Sequence, residues 1–236
     1  MRQDTTGEGT TGEATAERGT AGRGATPRER YRTQVRTEIK DHAWQQIATA
    51  GASGLSLNAI AKRMGMSGPA LYRYYAGRDE LITELVRDAY RSLADAFRAA
   101  SAPTPGARAL GRALRAWALA DPQRYFLVFG TPVHGYHAPD DTTDLARESM
   151  AYMLDACAAL PPAGSPGAPF TGHLDEHREW AGGRSVPAAA LHRALTFWTR
   201  LHGALSLELA GHFTGMGFDP ELLFEAELDA LTGNGG

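Results

Sequence analysis

The chain has 236 residues, a net charge of −3 and a single cysteine, Cys157. That length suffices for one large domain or for two small domains with cores of their own. One cysteine excludes an intramolecular disulfide and a cysteine-cluster zinc site, and the lack of a run of about 18 apolar residues excludes a membrane span. We therefore expect a cytoplasmic protein without a membrane partner. Cys157 has apolar neighbours, so it is either buried packing or a redox thiol.

The charge is distributed unevenly along the chain. Residues 27–100 hold twelve basic and eight acidic side chains, whereas residues 101–236 hold nine basic and fifteen acidic ones. A basic N-terminal unit joined to an acidic remainder predicts a polyanionic partner for the first unit only. Residues 1–26 contain no large apolar side chain after Met1, so we predict that they form a disordered tail.

Beyond the tail the sequence predicts an all-α protein. Apolar residues recur at spacings of three and four, and no convincing strand alternation appears. Ser56, Ser67 and Asp121 stand where helix caps are expected. The predicted helices cover about 27–50, 57–64, 68–75, 77–100, 107–120, a short stretch from 122, 142–160, 187–213 and 220–231.

The predicted helices divide the chain into two domains. Residues 27–80 form a three-helix DNA-binding unit, and residues 81–236 form a helical ligand-binding and dimerisation domain. Within the second domain, residues 160–186 are rich in Pro, Gly and His, which predicts a flexible loop.

The segment GLSLNAIAKRMGMSGPALYRYYAGRDELI, residues 54–82, has the form of a helix-turn-helix. An amphipathic helix leads into a turn at Gly65, and a short helix follows. Leu71 is expected to point inward with Ile60 and Met64, which leaves small, aromatic and basic groups on the open side. A recognition helix in the major groove needs a small N-terminal end for close approach, followed by donors for bases and phosphates.

From about Arg36 to Leu85 the segment resembles the DNA-binding domain of the TetR/AcrR family of transcriptional regulators. The marks are Gly-Leu-Ser, Ile-Ala-Lys-Arg-Met-Gly-Met-Ser, Leu-Tyr-Arg-Tyr-Tyr and Arg-Asp-Glu-Leu. The resemblance implies a homodimer of helical subunits, a third helix that contacts DNA, and a phosphate contact from the basic residue that opens the fourth helix. Carried over by position, the expected DNA contacts are Asn58, Gly68, Pro69, Ala70, Tyr72, Arg73, Tyr74 and Arg78.

Each of these positions has a plainer interpretation. Tyr72 and Tyr74 could pack between helices, Arg73 could be a solvated surface residue, and Asn58 could be an ordinary residue of a first helical turn. Tyr75 is expected in the core rather than at the DNA.

The C-terminal half resembles one group of TetR C-terminal domains more weakly. Trp198-Thr-Arg-Leu-His202-Gly203 is similar to the Trp…His-Gly signature of that group, and residues 115–139 are similar to a stretch common in actinomycete-type regulators. A sensing domain needs an apolar cavity with a few polar anchors. The candidate lining residues are Trp117, Tyr125, Phe126, Phe129, Tyr136, Met150, Met153, Trp198 and His202. Most of these could instead be core, and His202 could either bond a buried carbonyl or anchor a ligand.

A late apolar stripe runs from Leu191 to Leu209 at a spacing near 3.5 residues, and a second helix follows it. Such a pair suits a helix–helix interface between subunits, although packing within one subunit explains it equally well.

No enzyme signature is present. The sequence lacks a phosphate loop, a GxSxG elbow and a dinucleotide fingerprint. His173 and His177 are four residues apart, and His134 and His137 lie close to Asp140, yet neither group has a metal-site pattern. We expect no enzymatic activity, no metal and no cofactor.

Taken together, the sequence predicts a ligand-responsive DNA-binding regulator. The expected partners are operator double-stranded DNA, a small molecule and a second copy of the chain. A repressor released from its operator by the small molecule is the first hypothesis. An activator, or a DNA-binding protein without a ligand, remains the alternative.

Overall fold

The computed structural model describes residues 26–102, 106–161 and 168–233, in which all regular secondary structure is helical. The predicted all-α fold class is confirmed over these ranges. The predicted disordered tail lies outside the described residues, apart from Thr26.

Ten α-helices follow one another in the described ranges. They are α1 (Pro27–Ala50), α2 (Leu57–Arg63), α3 (Gly68–Leu71), α4 (Arg78–Ala100), α5 (Ala107–Ala120), α6 (Pro122–Phe129), α7 (Asp140–Ala158), α8 (Ala168–Glu176), α9 (Ala188–Leu209) and α10 (Pro220–Thr232).

Side-chain caps determine where several helices begin. Thr26 and Glu29 bond each other's backbone N–H groups and form a capping box at the start of α1. Ser56 and Ser67 each accept a bond from the backbone N–H three residues later, at the starts of α2 and α3. Asp121 does the same for α6, with a distance of 3.0 Å. The caps predicted at Ser56, Ser67 and Asp121 are confirmed.

The N-terminal core joins α1, α2, α3 and the first half of α4. The buried residues of α1 lie four apart, so they share one face of the helix. The side chains buried in this core are Val35, Ile39, Ala43, Ile47, Leu55, Leu57, Ile60, Ala61, Leu71, Tyr75, Leu81, Ile82, Leu85 and Val86.

The C-terminal core joins the second half of α4 to α5–α10. From α4 it receives Ala89, Leu93 and Phe97. Because α4 also supplies Ile82 and Leu85 to the N-terminal core, this single helix belongs to both domains. At 1.5 Å per residue its 23 residues span about 35 Å.

A close approach of α5 and α10 depends on a glycine. A Cβ built on Gly111 would overlap Cδ2 of Leu228 and lie 3.3 Å from the ring of Phe197. Both of those side chains are buried, so neither has room to withdraw.

The late apolar stripe packs within the subunit. Leu191 and Leu205 are buried in the C-terminal core, and Leu195, Trp198 and Leu209 pack against that core. The stripe is therefore accounted for inside one chain.

The prediction of a flexible loop over 160–186 is wrong for its described part. Helix α8 and a 3-10 turn at Glu179–Ala181 lie there, and Leu174 and Ala181 are buried in the C-terminal core. Two buried residues seven positions apart make no visible repeat in the sequence, so the periodicity could not reveal this short helix. Residues 162–167 lie outside the described ranges.

Two predicted helix ends also differ. The third helix ends at Leu71 rather than near Tyr75, because the following residues continue as a turn in which the Tyr74 N–H donates to the Leu71 carbonyl at 2.8 Å. Helix α9 ends at Leu209 rather than at Phe213.

Candidate nucleic-acid interface and ligand cavity

Helices α2 and α3 form the predicted helix-turn-helix. Gly65 occupies the turn with φ +66°, a conformation that glycine adopts without strain. Ala61 and Leu71 are buried between the helices, and the Met66 N–H closes the turn on the Ala61 carbonyl at 2.9 Å. The turn thus presents the outer side of α3 to solvent.

The predicted DNA contacts on this outer side are accessible. Asn58, Pro69 and Arg73 are exposed, and Tyr72 keeps 47% of its surface exposed. Gly68 and Ala70 are half-buried. A Cβ built on Gly68 would lie 3.7 Å from the Asn58 side-chain oxygen, so α2 and α3 bring these two positions together.

Tyr74 and Tyr75 differ from the exposed group. Tyr74 is half-buried against the N-terminal core, and its carbonyl accepts a 3.0 Å bond from Arg36. Tyr75 is fully buried, with the Arg36 guanidinium 4.4 Å from its ring centroid, and burial raises the pKa of Tyr75 to about 12. The expectation that Tyr75 belongs to the core is confirmed.

Arg78 is engaged inside the domain. Its Nη2 donates to the Ala52 carbonyl at 3.0 Å, and its Nη1 lies 3.6 Å from the Asp79 carboxylate. The guanidinium therefore ties the start of α4 to the 3-10 turn at Ala52–Gly54 that follows α1. A phosphate contact from Arg78 remains a prediction, and it would have to coexist with these bonds.

Several basic side chains of the N-terminal half are neutralised by ion pairs between helices. Arg36 pairs with Glu84 at 3.3 Å, and Lys40 pairs with Asp88 at 2.5 Å, which joins α1 to α4. Arg87 pairs with both Glu84 and Asp141. These cations join neighbouring helices, and the paired carboxylates largely compensate their charge.

Other basic side chains of this half are exposed and make no hydrogen bond or ion pair with another described residue. They are Arg28, Arg30, Arg32, Lys62, Arg63 and Arg73. The positive charge available to a polyanion thus lies on the helix-turn-helix and on the first turns of α1. The sequence prediction included only Arg73 of this group. Composition alone could not identify the others, because the acids that neutralise Arg36 and Lys40 are 48 residues away in the chain.

A cavity of about 270 Å³ opens between α6 and α9 in the C-terminal domain. Its lining consists of Tyr125, Phe129, Trp198, His202, Gly203 and Ser206. The ring centroid of His202 is 3.8 Å from that of Trp198 and 4.4 Å from that of Phe129. Four of the predicted ligand residues therefore form one aromatic cluster, although 73 positions separate Tyr125 from Trp198.

The remaining predicted ligand residues do not line this cavity. Trp117 is buried next to Phe129, with ring centroids 6.3 Å apart, and its indole N–H donates to Ser92. Phe126 lines a separate cleft of about 350 Å³ against the end of α1. Met153 is buried in the C-terminal core, and Met150 packs against it.

His202 is a half-buried, neutral imidazole. Its Nδ1 lies 2.9 Å from the Tyr125 hydroxyl, and its Nε2 is buried without a hydrogen-bond partner among the described residues. Burial lowers the pKa of His202 to about 4 and raises the pKa of Tyr125 to about 12. Both side chains are therefore uncharged near pH 7.

Phe129 links the cavity to the DNA-binding domain. Its ring packs against His202 on one side and lies edge-on to Tyr90 of α4 on the other, with centroids 6.2 Å apart. Tyr90 in turn packs against the N-terminal core, as does Tyr136. The Tyr136 hydroxyl lies 3.1 Å from the Thr83 hydroxyl of α4. The end of α6 and the loop after it thus touch both domains.

The sequence also singled out a pair of histidines, Cys157 and the question of a membrane span. The ring centroids of His173, on α8, and of His177, just after α8, lie 4.2 Å apart, but the described residues contain no group of three or more metal-ligating side chains. Cys157 is fully buried, which accords with a packing role and raises the pKa of its thiol to about 11. Among the helices of the described ranges, none has both the length and the apolar character needed to cross a membrane.

Comparison with known proteins agrees with this architecture. A family profile described as "Bacterial regulatory proteins, tetR family" matches residues 39–85, and one described as "Tetracyclin repressor-like, C-terminal domain" matches residues 107–231. The HTH-type transcriptional regulator Mb1846 of Mycobacterium bovis is 35% identical over 217 residues, which cover 85% of this chain and 92% of that protein.

Solved structures share the fold. The crystal structure of SCO4313 is 71% identical, with a TM-score of 0.81 over 88% of this chain and 100% of that one. PfmR, a TetR family transcriptional regulator from Thermus thermophilus, is 16% identical and matches the fold with a TM-score of 0.52, over 82% of this chain and 96% of that one. On the matched domains and the M. bovis relative, the chain belongs to the TetR family of bacterial transcriptional regulators.

Proposed function

We propose that this regulator is a repressor that binds operator DNA as a homodimer and leaves it when a small molecule enters the cavity between α6 and α9. The observation that carries the proposal is the position of Phe129, whose ring contacts His202 of the cavity and Tyr90 of α4. A ligand that moves this ring acts directly on the helix that both domains share.

The DNA-binding part of the proposal rests on exposed groups with complementary chemistry. Arg73 can donate two bonds to a guanine or bind a phosphate, and the exposed Tyr72 hydroxyl can reach a phosphate. Lys62 and Arg63 add unpaired charge at the end of α2. We propose that Asn58, Gly68, Pro69 and Ala70 complete the contact surface, and that Tyr74 and Arg78 contribute mainly through their contacts within the N-terminal domain.

The homodimer is supported by apolar groups on the outer side of the last two helices. Leu207 of α9 is 44% exposed and Leu222 of α10 is 70% exposed, while the opposite faces of both helices pack within the subunit. A second copy of the chain would remove such side chains from water. Two recognition helices could then reach successive major grooves, about 34 Å apart.

Two finer assignments belong to the same proposal. Membership of the Trp…His-Gly group is supported by the cavity, because Trp198, His202 and Gly203 all line it. Action on chromosomal DNA in a bacterium would place the protein in the cytoplasm.

The test of DNA binding is selection of bound duplexes from a random pool at two salt concentrations. A palindromic consensus with half-sites one helical turn or more apart supports a dimeric operator binder. Weak binding that disappears with salt and has no consensus would contradict it, because that behaviour reflects electrostatic attraction alone.

The test of ligand response uses the selected duplex in a fluorescence-anisotropy screen of small molecules. A compound that releases the duplex supports the repressor mechanism, whereas a compound that tightens binding supports the activator alternative. Gly203 lines the cavity, and a Cβ at that position meets no atom within 4 Å, so the Gly203→Leu side chain fits there and should obstruct the cavity. The Gly203→Leu protein should bind the duplex and should keep it when the compound is added. The control Gly172→Leu, on α8, should release the duplex as the natural chain does.

A further inference from the structure

We infer that the cavity between α6 and α9 takes an uncharged, mainly apolar molecule whose hydroxyl group donates a hydrogen bond to Nε2 of His202. This inference rests on the proposed function, in which the cavity receives the regulator's ligand, and it adds the chemical class of that ligand.

The hydrogen bonds of Tyr125 determine the tautomer of His202. The Tyr125 hydroxyl lies 2.9 Å from His202 Nδ1 and 3.3 Å from the His202 backbone carbonyl. The carbonyl can only accept, so the phenol must donate its single hydrogen to the carbonyl for that bond to form. Nδ1 then carries the imidazole hydrogen and donates it to the phenolic oxygen. In this arrangement both contacts are hydrogen bonds, and Nε2 carries a lone pair.

The opposite tautomer is worse. If the phenol donated to Nδ1, the bond to the carbonyl could not form, and a buried N–H at Nε2 would have no acceptor. Orphaned buried N–H groups are rarer in proteins than bare acceptors. The geometry therefore makes Nε2 an unsatisfied acceptor, which a ligand satisfies only by donating a hydrogen.

The remaining lining excludes a charged ligand. Tyr125, Phe129, Trp198, Gly203 and Ser206 carry no charge, and burial keeps the pKa of His202 far below 7. No side chain of the lining can therefore neutralise a carboxylate or an ammonium group, whose desolvation would oppose binding.

The side chains of Ser206 and Trp198 indicate that the donor group of the ligand is a hydroxyl. The Ser206 hydroxyl donates to the Gly203 carbonyl at 3.1 Å, so its hydrogen is already used. The Trp198 indole N–H makes no hydrogen bond to another described residue, so it is free to donate. A hydroxyl on the ligand can donate to Nε2 and can also accept a hydrogen bond from a donor of the lining.

Access to Nε2 requires a ring to move. The Nε2 atom has no exposed surface, and the rings of Tyr125, Phe129 and Trp198 pack around the imidazole. Phe129 is the last residue of α6, so its ring can turn away without breaking the helix. Entry of the hydroxyl would thereby displace the ring that contacts Tyr90.

The first test reads the tautomer directly. The full-length protein labelled with ¹⁵N-histidine is examined by long-range ¹H–¹⁵N NMR at neutral pH, and the His202 signals are assigned by their absence in His202→Phe. We expect a protonated Nδ1 and an unprotonated Nε2. A proton on Nε2, or a charged imidazolium, overturns the inference.

The second test compares three probes of one size by calorimetry: 2-naphthol, 2-methoxynaphthalene and 2-naphthoate. The first donates a hydrogen bond, the second only accepts, and the third is an anion. We expect 2-naphthol to bind about tenfold or more tightly than either of the others, because one buried hydrogen bond is worth about that factor. Equal binding of the three probes, or binding of none, overturns the inference.

Two variants test whether the preference for 2-naphthol comes from the His202 acceptor or from a general change in folding. His202→Phe should reduce the preference for 2-naphthol over 2-methoxynaphthalene to about one, and the exposed His212→Phe should leave it unchanged. If His202→Phe does not fold, His202→Gln replaces it for the NMR assignment, and the three-probe comparison on the natural chain needs no variant.

The inference and the proposed function fail in different ways. Binding is measured without DNA, so a preference for the donor probe supports the inference even when no probe releases the operator. Operator release by compounds that lack a donor and bind this cavity overturns the inference and leaves the repressor mechanism intact.

Discussion

His202 combines several properties that the sequence alone does not distinguish. It lies on an apolar stripe, it bonds the Tyr125 hydroxyl 77 residues away, and it leaves Nε2 without a partner among the described residues. Its burial favours the neutral imidazole, so its protonation state connects the stability of the fold with the chemistry of the cavity.

The lowered pKa of His202 predicts a loss of stability in acid. The unfolded chain takes up this proton near pH 6.5 and the folded chain only near pH 4, so the free energy of unfolding falls as the pH drops through that window. We expect His202 to cost about 2 kcal/mol between about pH 7.5 and pH 5. Urea unfolding of the natural chain and of His202→Gln measures the difference. An equal loss in both proteins would mean that His202 does not carry the effect.

Arg73 and Arg78 should behave in opposite ways when each is replaced by alanine. Arg73 is exposed and unpaired, so Arg73→Ala should weaken operator binding by about 1–3 kcal/mol without lowering the melting temperature. Arg78→Ala removes the bond to the Ala52 carbonyl and should destabilise the fold by about 1 kcal/mol. Fluorescence anisotropy and thermal unfolding measure the two effects. Tyr72→Phe should follow Arg73→Ala, and unfolding of either variant would show that a packing residue was taken for a contact.

At the scale of elements, the close packing of α5 on α10 depends on the missing side chain at Gly111. Gly111→Val would drive atoms into Leu228, Leu201 and Phe197, and we expect a loss of about 1–3 kcal/mol in the free energy of unfolding. Gly172→Val on α8 is the matched control, because nothing lies within 4 Å of a Cβ there. Chemical unfolding should separate the two variants, and equal stabilities would show that α5 and α10 can move apart cheaply.

In the proposed mechanism, the contact between α6 and α4 carries the effect of the cavity to the DNA-binding domain. Tyr90 meets the Phe129 ring but does not line the cavity, so Tyr90→Ala should preserve ligand binding within about threefold and abolish most of the operator release. Calorimetry and anisotropy with the compound found by the release screen measure both quantities. Phe170→Ala, whose ring contacts only His192 among the described rings, is the control. Normal release by Tyr90→Ala would mean that another contact carries the coupling.

At the scale of the whole molecule, the chain is weakly acidic, and in its described ranges the unpaired cations of the N-terminal half lie on the helix-turn-helix and the first turns of α1. Ion pairs between α1 and α4 neutralise the cations of the middle of the domain, and the acidic residues lie mainly in the C-terminal half. The unpaired cations of the helix-turn-helix are therefore the ones that polyanion binding should use.

This distribution predicts a different salt dependence for two lysine variants. Lys62 is exposed and unpaired, so Lys62→Ala should reduce the slope of log K against log salt by about 0.9 for each phosphate that the lysine neutralises. Lys40 is paired with Asp88, so Lys40→Ala should leave the slope unchanged. Titration of the selected duplex at several salt concentrations measures both slopes. A smaller slope in Lys40→Ala alone would contradict the assignment of free and paired charges.

The sequence by itself determined what depends on neighbours in the chain. Caps at Ser56, Ser67 and Asp121 and the spacing of apolar residues predicted the fold class, most helix bounds and the helix-turn-helix. These signals are local because a helix bonds each residue to one four positions away. The short α8 escaped prediction, since a helix of nine residues with few buried positions carries no repeat.

Only the tertiary structure decided which distant side chains meet. It separated the ligand candidates into those that line the cavity and those that pack elsewhere, and it separated paired from free cations. Charge neutralisation and the hydrogen bond between Tyr125 and His202 depend on contacts made across 48 and 77 residues. Such contacts are fixed by how helices pack on one another, and no short-range pattern in a single sequence encodes that packing.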